Sequence, residues 1–406
     1  MRLLFVHQNY PGQFKHLALA MAGRPGTEAV ALCMHDASVP SGLRVVRYRP
    51  ARGSSASIHP WVVDLETKVI RAEAAFRAAL AMRSQGFHPD VIVAHPGWGE
   101  SLFLKEVWPQ ARLGLYCEFF YSHRGQDVGF DPEFSSPDPS EACRVTLKNV
   151  NNLLHFEQAD AGLAPTRWQA DTFPPRFRDR ITVVHDGIDT ERVRPNPGAR
   201  ISLSTGLSLG RDDEVITFVN RNLEPYRGYH VFMRTLPEIL RRRPRAQAVI
   251  VGGSGVSYGA PAPAGKTWHQ LFLDEVRDDL DLSRVHFVGA LPYDAFVALL
   301  QVSTVHVYLT YPFVLSWSLL EAMSAGCAIV ASDTAPLREV IVAGETGRMV
   351  GFFDRRALAD AVCGLLADAG ERARLGSNAR AFAQARYDLK TVCLPRQIDW
   401  VDSLAT

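Results

Sequence analysis

Net charge is what this chain has least of: 44 basic residues stand against 43 acidic ones, a balance of +1 over 406 residues. Such a surface has no bulk attraction for DNA, RNA or anionic lipid, so nucleic acid is not an expected partner and peripheral membrane contact is left to local patches. Cysteine is scarce as well. Cys33, Cys117, Cys143, Cys327, Cys363 and Cys393 lie far apart and form no Cys-x-x-Cys pair. That excludes a disulfide framework or a zinc knuckle as the organising device, and predicts reduced core thiols in a cytosolic protein. No apolar run reaches the ~18 residues a membrane span needs. The opening stretch MRLLFVHQNYPGQF is too briefly apolar for a signal peptide and has no small-residue cleavage site. The sequence also lacks a G-x-G-x-x-G dinucleotide fingerprint and a G-x-x-x-x-G-K-S/T phosphate loop. No Cys/His pair has a family-like spacing, so an activated Ser or Cys nucleophile is not expected. The one short Asp-x-Asp, Asp279 to Asp281, sits at a helix end and reads as capping chemistry rather than a metal site.

What is present is alternation. Short β-branched runs (RLLFVHQ, EAVALCM, LRVVRY, VIVAHP, LGLYCEFFY, AGLAP, ITVVHDG) are separated by helical patterns, among them one with Leu65, Val69, Ala72, Phe76 and Leu80 at helical spacing. Continuous buried strands alternating with helices mean parallel sheets with right-handed crossovers, hence a doubly wound α/β class. The polar, Pro- and Gly-containing stretch from Arg192 to Glu214 interrupts the pattern, which then restarts. The expected organisation is an N-terminal domain over 1–191, a linker over 192–212, a second domain over 213–385, and a C-terminal segment over 386–406 that returns to the first domain. Two such halves are expected to face a central crevice at the carboxyl ends of their strands, where open α/β sheets bind ligands.

Several residues fall at those strand ends. Gly12, in the Pro-Gly turn after the first strand, allows backbone amides at a helix start to approach a phosphate. Arg221 and Arg227, with Gly228 beside them, leave the first strand of the second half, and two guanidiniums there suit a diphosphate. The first half offers His95, Trp98 and Glu100, then Glu118, Tyr121, His123, Asp127 and Asp131, then His185, Asp186 and Asp189. Singly, each is explained as a turn or core residue; as a group at strand ends they point to ligand contact. Trp98, Tyr121 and Trp317 offer flat faces for a sugar ring.

Taken in order, the stretch around Arg221 and Arg227, the segment SLLEAMSAGCAIVASD, and then PLREVI and GETGRMV resemble the family 4 glycosyltransferases, retaining enzymes of the GT-B fold with two Rossmann-like domains. The resemblance implies that Arg221 and Arg227 hold the donor diphosphate, the second being more often Lys in relatives, with Gly12 at the matching glycine turn. Glu321 matches the second glutamate of the Glu-x7-Glu motif, which binds the nucleotide ribose. The backbone of Val314, Leu315, Ser316 and Trp317 matches the donor-sugar loop, and Gly289, Ala290 and Leu291 match the loop facing the nucleobase. His95 matches a histidine near the reacting sugar, and Trp98, Glu118, Tyr121, Asp127 and His185 are expected on the acceptor side. The chain departs from the pattern at the first glutamate of the motif, where it has Phe313.

The resemblance further implies glycosyl transfer from a nucleoside-diphosphate sugar (UDP or GDP) as co-substrate, with retention, no metal and no cofactor. The acceptor is a carbohydrate, lipid-linked, protein or small-molecule hydroxyl, and the protein is cytoplasmic or at the inner face of the membrane. Two alternatives stay open: another GT-B nucleotide-sugar enzyme, such as an epimerase or an inverting transferase, and a non-catalytic sugar-nucleotide or glycan-binding scaffold.

Overall fold

The computed structural model describes residues 1–35, 43–203 and 206–406. Strands β1 (Arg2–Val6), β2 (Glu28–Cys33), β3 (Arg44–Arg47), β4 (Val91–Ala94), β5 (Arg112–Tyr116), β6 (Ala161–Ala164) and β7 (Ile181–Val183) form one sheet in the order β3-β2-β1-β4-β5-β6-β7. After the hairpin β8 (Arg200–Ser202) and β9 (Ser208–Gly210), a second sheet has the order β12-β11-β10-β13-β14-β15. Its strands are β10 (Val215–Asn222), β11 (Gln247–Gly253), β12 (Val285–Gly289), β13 (Val305–Tyr308), β14 (Ala328–Ser332) and β15 (Arg348–Val350). Pairing within each large sheet is parallel.

Parallel strands are covered on both faces, and the apolar runs supply both coats. In the first sheet Leu4, Val6, Ile92 and Ala94 enter one core cluster, while Leu3, Phe5, Val91 and Val93 enter another. This is the two-residue alternation of a strand with apolar residues at every position. In the second sheet Ile216, Phe218, Ala248 and Ile250 pack on one side and Val215, Val219, Val249 and Val251 on the other. Strand order reverses between β1 and β4 and between β10 and β13. At such a reversal the loops leaving two neighbouring strands diverge and open room for a ligand at their carboxyl ends.

The chain folds as two compact units, Met1–Val128 with Ser136–Gly187 and Lys390–Thr406, and Gly129–Ser135 with Ile188–Leu389. The stretch taken as a linker is therefore part of the second unit, where it carries the β8–β9 hairpin and buries Ala199, Ile201, Leu203 and Leu209. The C-terminal helix Leu394–Ala405 belongs to the first unit, burying Trp400, Val401 and Leu404. Gly114 in β5 makes this possible: a Cβ there would lie 2.6 Å from both Trp400 and Leu404.

Two further expectations need correcting. In the helix Val63–Ser84 the buried face is Ala72, Ala75, Ala79 and Met82, together with Lys68 and Ile70, whereas Val69 is 40% exposed. The small alanines let the helix approach its neighbours closely, and the larger apolar residues sit on its flanks. Cys143, in the helix Glu141–Lys148, is exposed rather than a core thiol; the other five cysteines are buried. Among the described residues no helix is long and apolar enough to cross a membrane.

Candidate functional site

In the second unit the strand-order reversal is flanked by the loops after β10 and β13. After β10, a short 3-10 turn (Pro225–Arg227) ends at Gly228, whose φ of +67° and whose hypothetical Cβ, 2.4 Å from Leu309, both demand glycine. That close approach delivers Arg227 to the loop after β13. The side chain is buried, donating to Thr310 Oγ1 at 2.8 Å and to the Val314 carbonyl at 2.9 Å, with its guanidinium carbon 5.0 Å from the Tyr258 ring. Burial works against this cation, but Tyr308, Tyr258 and Glu224 around it hold its pKa above the ordinary arginine value. Arg221, at the end of β10, is exposed. The two arginines expected as an equivalent pair thus differ: Arg227 is built into the loop it would act through, and Arg221 reaches solvent.

Phe313 fills the position of the expected glutamate with a buried ring, 5.0 Å from the Tyr258 ring, 5.6 Å from that of Tyr226 and 6.0 Å from the Arg227 guanidinium. In place of a carboxylate, position 313 contributes to an aromatic cluster around Arg227. Val314 is buried, Leu315 and Ser316 half-buried. Ser316 starts the helix Trp317–Ser324: its hydroxyl accepts from the Ser318 amide at 3.3 Å, and its own amide donates to Tyr308 Oη at 2.8 Å. Trp317 is 42% exposed. Glu321 is buried on this helix and accepts a 2.7 Å bond from the Tyr293 hydroxyl. Gly289 and Ala290 are exposed, with φ +63° at Gly289, and Leu291 packs against the hairpin-side core.

Sequence reasoning missed Glu224, Tyr258 and Thr310. Glu224 is 1% exposed and accepts from the amides of Ser257 and Tyr258, at 3.2 Å and 3.0 Å. Burial pushes its pKa up against the pull of those amides and of Arg227. Its place between Arg221 and Arg227 was the signal. Gly255, Ser257 and Gly259 have the Gly-x-Ser-x-Gly spacing of a nucleophile elbow, but the Ser257 hydroxyl accepts from Asn222 at 2.7 Å and serves the loop.

Asp131, read as a strand-end candidate of the first half, lies in the second unit. Its carboxylate accepts from Tyr311 Oη at 2.7 Å and faces His230 Nε2 at 3.0 Å, while Glu133 takes a two-pronged bond from Arg234 at 2.6 and 2.7 Å. Phe130 and Phe134 flank them in the core. Burial would raise the Asp131 pKa, but His230 and Tyr311 hold it below the usual carboxylate value. Asp131, Glu133 and His230 bring their ligand atoms within 4.8 Å of one another, as a metal site would. Arg234 already supplies the counter-charge to Glu133, so the group reads as a strap fastening residues 129–135, one end on Tyr311 at the start of the loop after β13.

In the first unit, Gly12 follows β1 with φ +48°, and a Cβ there would sit 2.2 Å from His7 Nε2. His7 bonds Gln13 at 2.8 Å, and burial beside His95 pushes its pKa down to about 3. His95, immediately after β4, is 2% exposed; its Nδ1 accepts from the Gly97 amide at 3.1 Å, and its Nε2 lies 3.5 Å from Glu118 Oε2. Its ring stacks on Tyr116 at 5.4 Å and meets Trp98 at 4.6 Å. A cavity of about 240 Å³ brings His95, Trp98, Glu118 and Tyr121 together. Asp127 and His185 do not line it. His185 instead caps a turn, with Nδ1 accepting from Gly187 and its carbonyl from Gln397, and burial lowers its pKa to about 4.

Residues 25–193 match the sequence profile described as the glycosyl transferase family 4 group, and residues 206–382 that of the glycosyl transferases group 1. The chain is 30% identical to the D-inositol 3-phosphate glycosyltransferase of Nocardia farcinica, over 60% of this chain and 53% of that protein. It therefore spans about half the length of that relative. It is 28% identical to the GDP-mannose-dependent alpha-(1-6)-phosphatidylinositol monomannoside mannosyltransferase of Mycolicibacterium smegmatis, over 72% of each. Among solved structures, HepE of Anabaena in complex with UDP and glucose matches with a TM-score of 0.68 and 18% identity over 99% of both chains. Sucrose-phosphate synthase from Thermosynechococcus elongatus matches at 0.72 and 18%, over 100% of this chain and 99% of that one. These likenesses show the fold: GT-B, with two Rossmann-like α/β domains.

Proposed function

Because the chain belongs to the family 4 glycosyltransferases, we propose that it transfers a glycosyl group from a UDP- or GDP-sugar to an acceptor hydroxyl, with retention of anomeric configuration and without a metal. The observation that carries this reading is the placement of Arg227, on the turn after β10, and Glu321, on the helix that follows the β13 loop, both beyond the strand-order reversal of the second sheet. As the glycosidic bond breaks, negative charge grows on the departing diphosphate. A cation already fixed before the reaction stabilises that charge without reorganisation. Arg227 is fixed by Thr310 and the Val314 carbonyl, and it holds the sugar loop in the same act; Arg221 is the accessible second cation. Glu321 takes the ribose hydroxyls in exchange for, or alongside, the Tyr293 hydroxyl. The backbone from Val314 to Trp317 takes the donor sugar, and Gly289 to Leu291 the base. With Phe313 where a carboxylate would sit, the sugar meets an aromatic wall.

The relatives named above act, by their names, on inositol phosphate and on a phosphatidylinositol mannoside. For this chain the acceptor is proposed to be a polyol or sugar hydroxyl, free or lipid-linked, bound in the His95 cavity, and the site of action the cytoplasmic face of the membrane. The scaffold alternative is favoured only by Phe313. A panel of nucleotide sugars, read by melting temperature and then by NMR of the product, tests the proposal. One donor should raise the melting temperature and give a product with the donor's anomeric configuration, in EDTA as in buffer. Inversion, loss of turnover in EDTA, or donor binding without release of nucleotide in the presence of any acceptor contradicts it.

A further inference from the structure

The cavity in the first unit has features that sugar hydroxyls alone do not explain. Three cations line it, Lys68, Arg71 and Lys148, against two acids, Asp64 and Glu118. Lys68 Nζ is 2.7 Å from Asp64, and Glu118 faces His95. Neither Arg71 nor Lys148 has a salt-bridge partner among the described residues; the Lys148 ammonium instead lies 3.6 Å over the Tyr121 ring. Burial lowers the Lys148 pKa to about 8, opposed by Asp64 and Asp127 and reinforced by Lys68 and Arg144, the charged groups that face it. Two buried polar atoms at the cavity also have no hydrogen-bond partner, Asn151 Oδ1 and His95 Nε2, each on a residue that is 2% exposed. Asn151 Oδ1 is an acceptor, and His95 Nε2 carries the ring proton because Nδ1 accepts from Gly97, so the pair calls for a ligand group that both donates and accepts, as a hydroxyl does. The volume of about 240 Å³ is below the ~300 Å³ at which drug-sized pockets begin, so one ring-sized headgroup fills it.

We propose that this cavity binds a phosphorylated polyol, its phosphate at Lys148 and Arg71 and its hydroxyls at Asn151 Oδ1 and His95. A phosphate brings more than one negative charge and several acceptor oxygens, which matches two cations that make no salt bridge better than a neutral sugar or a single carboxylate does. Calling that ligand the acceptor rests on the function proposed above; its binding does not.

The test titrates the full chain with glucose, glucose 6-phosphate and inorganic phosphate, and in a second arm with phosphatidylcholine vesicles with and without phosphatidylglycerol. Glucose 6-phosphate is expected to bind at least about tenfold tighter than glucose, with the advantage lost in Lys148→Met and kept in Lys148→Arg. If instead only the phosphatidylglycerol vesicles bind, and in a Lys148-dependent way, the phosphate belongs to a lipid headgroup and the proposal stands. Should Lys148→Met not fold, Arg71→Gln takes its place. Equal affinity for glucose and its phosphate, no binding in either arm, or binding indifferent to both substitutions overturns it. A separate titration with UDP and GDP distinguishes the two readings: nucleotide binding without phosphate recognition defeats this inference alone, and phosphate recognition without nucleotide binding defeats the proposed function alone.

Discussion

The two strand-order reversals, one in each unit, have been finished in opposite ways. In the second unit the candidate polar groups are already partnered: Arg227 with Thr310 and Val314, Glu224 with two amides, Glu321 with Tyr293. In the first unit the cavity beside β4 keeps polar groups open: Asn151 Oδ1, His95 Nε2 and the ammonium of Lys148. A site whose groups are held by the protein is preorganised and stabilises whatever charge develops there. A site with unsatisfied groups carries a desolvation cost that a ligand with matching polar groups relieves. The contrast suits a common donor grip in one unit and a particular acceptor in the other.

The contrast can be broken or sharpened by substitution. The largest effect is expected from Arg221→Ala: turnover falls by about 10²–10³ if the exposed guanidinium acts only on the diphosphate, while the urea midpoint stays unchanged because nothing buried is lost. Loss of stability with unchanged turnover would show the side chain to be structural. Arg227→Ala should cut turnover as well, and it should also cost about 1–3 kcal/mol in urea unfolding, because Thr310 and the Val314 carbonyl lose their donor inside the protein. A smaller effect, about 1 kcal/mol, is expected from Asp131→Asn, which weakens the bond from Tyr311 and removes the charge that faces His230. A rise in KM for the donor would follow if the strap steadies the start of the sugar loop.

Comparable in size is a pH dependence at Lys148. Its folded pKa of about 8 lies below the ordinary lysine value of 10.5, so between those two pH values the unfolded chain binds the additional proton and stability rises with pH. Affinity for glucose 6-phosphate runs the other way. The ammonium is lost as pH rises through about 8, while the phosphate is already doubly ionised, so affinity should fall about tenfold from pH 7 to pH 9 in calorimetric titration. Flat affinity over that range would remove Lys148 from the site.

Much of the fold could be read from the chain because it rests on local patterns. Runs such as VITFV and AIVAS are short, largely apolar and free of period-two alternation, as strands buried on both faces are, and the helical stretches between them fit parallel crossovers. Contacts between distant residues could not be read in the same way. Nothing in the stretch from Gly129 to Ser135 announces that it folds with the second unit, because its anchors, His230, Arg234 and Tyr311, are remote in sequence. The buried face of the helix Val63–Ser84 was misjudged because alanine contributes little to an apolar count yet permits the closest packing. Arg227 was recognised by motif, but its burial depends on Gly228, Leu309 and Phe313 meeting in space. Lys148 and Asn151 carried no motif at all; they became visible only as unsatisfied groups around a cavity.

The central claim is that Arg227 and Glu321 grip a nucleoside-diphosphate sugar. Calorimetric titration of the wild-type chain and of Glu321→Ala with UDP-glucose and GDP-mannose, in EDTA, tests it most directly. The account predicts micromolar-to-millimolar binding of one donor that weakens by at least about tenfold when the carboxylate is removed. Equal donor affinity in the two proteins, or binding that appears only when a divalent cation is restored, would contradict it.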